Sequence, residues 1–396
     1  MLVLMTLTHV PSKFSSPAGQ PFGYVSAAEG FVLLSAFMAG LVYSKKLEHA
    51  GASGMRFAFT MRVVKIYLAQ AALLLFLFSA VVSIGVASQQ PAITNLVGWY
   101  LERPLVALAA SLLLVYNPPL LDILPMYIVF MLASPALLII GRKRHGWAFL
   151  LAASTVLWLA AQWDLRGLLH GWFVAVTAFP VPNAAIGAFD ILAWQLLWVL
   201  GLWMGATYAR TKKAPVFPDW TVAVAAAYAL VAFVWRHAIG QVPFGDDWVL
   251  NAIWDKWLLG PLRLLDLFAL VILAVRFRDA LARMPRLRVL ETLGTASLPV
   301  FCAHLVVALL ALALFGEPTP VRSWWFDAGL VAAAFAVLYA VARVSAAMDR
   351  SAAGVRARFE TRRAARAKSG ERATSAVGAI SRRWSGNRSG GVGQDR

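Results

Sequence analysis

Nine apolar runs of membrane-spanning length dominate this chain, and short loops rich in lysine and arginine recur between them. The runs cover residues 27–44, 63–87, 120–140, 147–162, 186–208, 220–235, 257–275, 290–315 and 328–344. Lipid offers no partners for free backbone N–H and C=O groups, so an apolar run of this length crosses a bilayer as an α-helix. The pattern therefore predicts an all-α integral membrane protein.

The composition agrees with this fold class and excludes others. Of the 396 residues, 60% are hydrophobic and 14% charged, whereas a soluble domain carries about 25% charged residues. The net charge of +17 would suit a nucleic-acid partner, but the cations lie in loops between apolar runs and in the C-terminal tail. No nucleic-acid binding is therefore expected. The single cysteine, Cys302, excludes an intramolecular disulfide.

The loop charges also predict the orientation in the membrane. Every second loop is basic, and the loops between them are poor in Lys and Arg or balanced by acids. The positive-inside rule places the basic loops and the tail in the cytosol. The basic loops carry Lys45, Lys46, Arg56, Arg62, Lys65, Arg142, Lys143, Arg144, Arg210, Lys212, Lys213, Arg276, Arg278, Arg283, Arg286 and Arg288.

The opening stretch, MLVLMTLTHVP, is too short to cross the membrane. A ten-residue helix rises about 15 Å, and the hydrocarbon core is about 30 Å thick. The loop alternation places residues 10–26 outside the cytosol, and the stretch lacks the basic region and cleavage site of a signal peptide. It is therefore predicted to be the outer half of a truncated first spanning helix, giving about ten transmembrane helices with both termini cytosolic.

Two further segments complete the predicted organisation. The apolar run 105–116 is too short to span and is expected to be re-entrant or interfacial. Residues 1–348 are predicted to form the polytopic membrane domain. Residues 349–396, rich in Arg, Ser, Gly and Ala, are predicted to form a basic, disordered cytosolic tail.

Polar side chains within the spans cluster in the predicted outer half of the membrane. Ionisable residues at that depth are functional candidates because burying them in hydrocarbon is unfavourable. Each also has a structural explanation: a local ion pair three residues apart for Arg263 and Asp266, helix caps for the two other aspartates, and a bond to a carbonyl for His304. The candidates are His9, Glu29, Asp122, Asp190, Arg263, Asp266 and His304.

His9 and Glu29 are the strongest candidates by pattern alone. They lie on consecutive helices at matching predicted depth. A histidine next to a carboxylate is a common arrangement for removing a proton from a hydroxyl, because the carboxylate fixes the imidazole tautomer. The sequence contains no Gly-x-Ser-x-Gly elbow, P-loop, His-Glu-x-x-His motif or cysteine cluster, and no two histidines have the spacing of metal ligands.

Six segments together resemble the OpgC family, the membrane acyltransferases that succinylate osmoregulated periplasmic glucans and are similar to the wider acyltransferase-3 family. The matching segments are THVP at 8–11, AAEGFVLLSAFMAGLVY at 27–43, YNPPLLDILPMYIVFMLASP at 116–135, FDILAWQLLWVLGLWMG at 189–205, KWLLGPLRLLDLFAL at 256–270 and LGTASLPVFCAHL at 293–305.

The resemblance implies a multi-pass enzyme of the bacterial inner membrane that moves an acyl group, here succinyl, from a coenzyme A thioester to a glucan or glycan hydroxyl. No bound cofactor or metal is expected, and the partners are the acyl-CoA donor, the glycan acceptor and the lipid bilayer. The resemblance makes His9 the general base and Glu29 the residue that orients it. It matches the family's other polar positions to Asp122, Arg263 and His304. Of these, Arg263 or His304 is expected to stabilise the oxyanion or hold the dicarboxylate donor.

Two departures from the family pattern bear on this expectation. The family has an acidic and basic stretch before the first histidine that this sequence begins too late to include, and its Ser-Gly pair is Ser35-Ala36 here. Two alternatives remain beside the acyltransferase: a transporter or flippase that uses the same polar path, and a non-catalytic relative lacking its first half-helix.

The predicted orientation can be tested by cysteine labelling. In a chain whose Cys302 is replaced by alanine, single cysteines in residues 246–255 are expected to react with an impermeant maleimide in intact cells. Cysteines in residues 45–56 should react only after the membrane is opened, because the basic loop is cytosolic. Labelling of both segments from outside would contradict the arrangement.

Overall fold

The computed structural model describes residues 1–285 and 287–352, and every regular element in them is helical. Residues Met1–Tyr339 form one compact unit, which holds both cavities and all the candidate site residues. The helices are α1 (Leu2–His9), α2 (Ser15–Gly19), α3 (Ala27–Phe76), α4 (Val82–Ala87), α5 (Pro91–Leu96), α6 (Gly98–Glu102), α7 (Pro104–Leu112), α8 (Ile123–Gly141), α9 (Gly146–Ala161), α10 (Leu165–Thr177), α11 (Ile191–Thr211), α12 (Asp219–Ile239), α13 (Trp248–Ala252), α14 (Pro261–Arg276), α15 (Arg278–Arg283), α16 (Arg288–Thr295), α17 (Ser297–Phe315) and α18 (Trp324–Ala352), with a π-helical turn at Leu77–Val81.

Six of the described helical segments are long and apolar enough to cross a membrane, or seven if α9 and α10, bent by 79°, count as one span. The six are Ala27–Ala87, Ile123–Gly141, Asn183–Thr211, Asp219–Ile239, Ser297–Phe315 and Trp324–Ala352. The chain is thus an all-α protein with several membrane-spanning helices, as predicted. The count of about ten and the cytosolic termini stay predictions, since α1 and α14 are shorter than a full span.

The long helix α3 is two segments that fold back on each other. Gly51 interrupts it with φ 68° and ψ −176°, a left-handed conformation that favours glycine. The rings of Tyr43 and Phe59 stack with centroids 3.7 Å apart, although sixteen residues of straight helix would span about 24 Å. Residues 45–62, expected as a loop, are therefore helical. Both predicted spans, 27–44 and 63–87, lie within Ala27–Ala87.

Other boundaries differ from the predicted runs at identifiable residues. The run 290–315 breaks at Ala296, which separates the largely exposed α16 from α17. The run 105–116 contains only the nine-residue α7, which is too short to span. The predicted tail, residues 349–396, lies outside the described residues apart from its first four, which continue α18.

Glycines allow the first segment of α3 to approach α11 closely. A β-carbon added at Gly205 would overlap the carbonyl of Phe37, and one added at Gly40 would overlap the carbonyl of Leu202. Gly201 in turn faces the fully buried Ala36, the residue where the family pattern has glycine. Small residues at this spacing let two membrane helices pack backbone to backbone.

The Gly205→Ala variant is expected to destabilise the protein by about 1–3 kcal/mol, because the added methyl group forces α3 and α11 apart. The measurement is the apparent melting temperature of the purified protein in detergent. Gly171→Ala is the matched control: Gly171 lies in α10 with no atom near the added carbon, so the substitution should leave stability unchanged or raise it. Equal melting temperatures for both variants would contradict the close packing.

Candidate functional site

His9 is the last residue of α1, and its imidazole contacts that of His304 from α17. Val10 is extended and Pro11 follows it, so the helix ends at His9. His9 Nδ1 lies 3.1 Å from His304 Nε2, and the two rings stack with centroids 5.3 Å apart. His304 is fully buried and His9 is half-buried. Two histidines distant in the sequence thus form one hydrogen-bonded pair.

The pair restricts the protonation of both rings. A hydrogen bond between two imidazole nitrogens requires one donor and one acceptor, so the two rings cannot both be protonated without losing it. Because Nδ1 of His9 takes part in this bond, Nε2 is the His9 nitrogen left for a substrate proton. His304 therefore occupies the orienting position that was expected for Glu29.

The segment after His9 is fixed to the start of α18. The backbone N–H of Lys13 donates to Asp327 Oδ2 at 2.9 Å, and Arg322 Nε donates to Asp327 Oδ1 at 2.6 Å. Arg322 also donates to the carbonyl of Pro11, and Asp327 is fully buried. These bonds hold the end of α1, and hence the His9 ring, in place.

Glu29 does not pair with His9 in this structure. It forms a capping box with Ser26 at the start of α3, and Ser26 N donates to its Oε2 at 3.0 Å. Its Oε1 accepts from Nε of Arg263 in α14, and both side chains are almost completely buried. The expected His9–Glu29 pair is thus replaced by a His9–His304 pair and a Glu29–Arg263 ion pair.

The spacing of three residues also suggested an ion pair between Arg263 and Asp266. In the structure each of them bonds to another partner. Arg263 Nη1 donates to the carbonyl of Trp254 at 3.2 Å, in addition to its bond with Glu29. Asp266 instead accepts the backbone N–H of Tyr24 at 2.9 Å. Arg263 therefore connects α14 to α3, and Asp266 connects it to the segment before α3.

The two remaining candidate aspartates, Asp122 and Asp190, accept backbone N–H groups. Asp190 caps α11, where its Oδ1 accepts from Leu192 N at 2.8 Å and Ala193 N at 3.0 Å, as the capping interpretation expected. Asp122 precedes α8 but its side chain makes no capping bond to that helix, contrary to the capping interpretation, and its Oδ2 accepts the N–H of Ala188 at 3.0 Å instead. That bond joins the start of α8 to the loop before α11.

A cavity of about 370 Å³, here called the outer cavity, brings several of these residues together. Its wall contains His9 and Asp122, together with Thr8, Ser26, Phe189 and Lys256. All of these belong to helix ends predicted to face away from the cytosol. Arg263 is not among its lining residues.

Lys256 is the site residue that the sequence did not single out. It opens the KWLLGPLRLLDLFAL segment, but its charge was counted only as part of a balanced loop. Its Nζ lies 4.5 Å from the centroid of the Trp257 ring and 5.9 Å from that of Phe189. Burial lowers the pKa of the ammonium, and the negative charge of Glu29 opposes that shift.

A second cavity of about 620 Å³, here called the inner cavity, has Tyr43 and Arg62 in its wall, at the end predicted to be cytosolic. It also touches Phe31 and Phe301, whose rings stack with centroids 5.6 Å apart. The Phe301 ring in turn contacts His304 edge-on, at 4.8 Å between centroids. One side chain therefore links the inner cavity to the histidine pair.

No group of three His, Cys, Asp or Glu side chains that could hold a metal ion occurs within residues 1–285 and 287–352.

Comparison with known proteins places this site in a family. No curated protein and no solved structure matches the chain. The family model described as OpgC protein matches residues 1–350, which include α1, both histidines, the Glu29–Arg263 pair and both cavities. The chain is therefore a multi-pass membrane protein that belongs to the OpgC family.

Proposed function

We propose that this protein is a membrane O-acyltransferase that transfers a succinyl group from a coenzyme A thioester to a hydroxyl of a periplasmic glucan or related glycan. Family membership supports a transferase-type role. The single observation that carries the proposal is the His9–His304 pair in the wall of the outer cavity. We place the enzyme in the bacterial inner membrane.

The chemical step follows from the free nitrogen of His9. Nε2 takes the proton of the acceptor hydroxyl as the hydroxyl oxygen bonds to the thioester carbonyl carbon. The carbon–sulfur bond then breaks, and the proton passes from His9 to the departing thiolate. His304 keeps His9 Nδ1 protonated during the attack, because its Nε2 accepts that N–H.

The two cavities support separate approaches for the two substrates. Arg62 and the tyrosine hydroxyls in the inner cavity suit the polar parts of a coenzyme A thioester arriving from the cytosol. The outer cavity has hydroxyl, carboxylate and aromatic side chains that suit a sugar. Phe301 lies between the inner cavity and His304, so the thioester and the acceptor would meet beside the histidine pair.

In this proposal three polar residues position the cavity wall and do not contact the reacting atoms: Glu29, Arg263 and Asp122. The Glu29–Arg263 pair fixes the start of α3 against α14, which sets the wall of the outer cavity around Ser26 and Lys256. Because Arg263 is bound to Glu29 and to the Trp254 carbonyl and lies off the cavity wall, we assign it a positioning role in place of the expected contact with the donor.

Replacing His9 with alanine should lower acyl transfer by about 10²–10⁴-fold, because the acceptor hydroxyl loses the base that takes its proton. The measurement is transfer of radiolabelled succinyl groups to glucan in membranes that contain the full chain. His49→Ala is the matched control, since His49 is exposed and is not among the residues that line either cavity.

The outcome separates the enzyme from its alternatives. Undiminished transfer by His9→Ala would overturn the catalytic role of His9. If the parent chain moves glucan or thioester across the membrane without any acyl transfer, and His9→Ala loses that transport, the transporter would be favoured. A parent chain that performs neither reaction would indicate a non-catalytic relative.

Replacing His304 tests its orienting role separately. His304→Ala should lower kcat with little change in KM, and His304→Gln should restore part of the loss because its amide oxygen can accept the His9 N–H. The measurement is the pH dependence of kcat for the three proteins. If His304 were only structural, the two variants would have equal kcat values and the pH profile of the parent.

A further inference from the structure

Lys256 presents a positive charge to the outer cavity without an acidic partner. Among the described residues, no carboxylate oxygen lies within 4.0 Å of its ammonium. By contrast, the almost completely buried Arg263 is paired with Glu29. Lys256 is also the only Lys or Arg among the residues that line the outer cavity within the described ranges.

The acids nearest to Lys256 are engaged elsewhere. Asp122 Oδ2 accepts the N–H of Ala188, and Asp255 Oδ1 accepts the N–H of Leu258 at 2.6 Å. Both Glu29 oxygens are bound by Ser26 and Arg263. These negative charges favour the charged form of Lys256, but none of them satisfies its N–H donors. The ammonium is therefore available to an anion in the cavity.

Aromatic rings hold the side chain in place. The Nζ atom lies near the faces of Trp257 and Phe189, and Phe189 lines the cavity beside it. Such contacts fix the position of an ammonium group without neutralising it. The cavity wall thus contains a proton acceptor, His9, and an oriented cation, Lys256.

We propose that Lys256 binds the free carboxylate of a dicarboxylic acyl group while the carbonyl carbon of that group lies beside His9. The inference rests on the proposed acyl transfer and adds to it the residue that selects the donor. A succinyl group has a carbonyl and a carboxylate separated by two methylenes, whereas an acetyl group has no second charge. An acetyl donor would leave the half-buried ammonium unpaired, and a site built for a polar group rejects an analogue that lacks it.

The experiment compares two donors in one preparation. Membranes that contain the full chain, or its variants, receive differently labelled succinyl-CoA and acetyl-CoA with glucan as acceptor. The ratio of kcat/KM for succinyl over acetyl transfer is measured. The variants are Lys256→Met, Lys256→Arg and the control Lys143→Met, which changes an exposed lysine at the predicted cytosolic end.

Lys256→Met should lower succinyl transfer by about 30-fold or more and change acetyl transfer by less than about threefold, since one charged hydrogen bond is lost for one donor only. Lys256→Arg keeps the charge and should retain most of the preference. Lys143→Met should match the parent. Equal amounts and melting temperatures of the variant proteins establish that they fold.

Each other result has a definite meaning. An equal fall in succinyl and acetyl transfer by Lys256→Met would assign Lys256 to the oxyanion and overturn the inference. Unchanged rates of both succinyl and acetyl transfer would overturn it as well. A parent chain that transfers neither acyl group would instead refute the proposed function on which the inference rests.

Discussion

The buried ion pair between Glu29 and Arg263 is the constraint on which the site depends. Neither charge has access to water, and an isolated charge in hydrocarbon is strongly unfavourable, so the two side chains must meet at the starts of their helices. The pair fixes the start of α3 against the start of α14. The Ser26 cap lies three residues before Glu29 and Lys256 lies seven before Arg263, so the pair also positions two residues of the outer cavity wall.

Much of this arrangement could be predicted from the sequence, because hydropathy and loop charge report the depth of a residue in the membrane. The apolar runs predicted the helices, and the polar residues expected in the outer half do lie near one another. Helix ends expected on one side also meet: Ser44, Arg142 and Arg210 surround one small pocket, as His9, Asp122 and Lys256 surround the outer cavity.

Depth does not specify which way a side chain faces around the helix axis or which helices are neighbours. His9 and Glu29 were expected at matching depth on consecutive helices, yet His9 bonds to His304, which lies 295 residues later in the chain. Lys256 was overlooked for a related reason. Its charge was balanced in the sequence by Asp246 and Asp247, whereas in three dimensions Asp247 caps α13 by accepting the N–H of Leu250.

The bonds around Asp327 determine when the site can exist during synthesis. Lys13 and Asp327 are 314 residues apart, and His304 is almost as far from its partner His9. A ribosome adds about 5–20 residues per second, so α1 waits roughly half a minute in the membrane before either contact can form. The nascent chain therefore inserts nearly all of its helices before its proton acceptor is positioned, and any truncated translation product that stops before α17 lacks an assembled site.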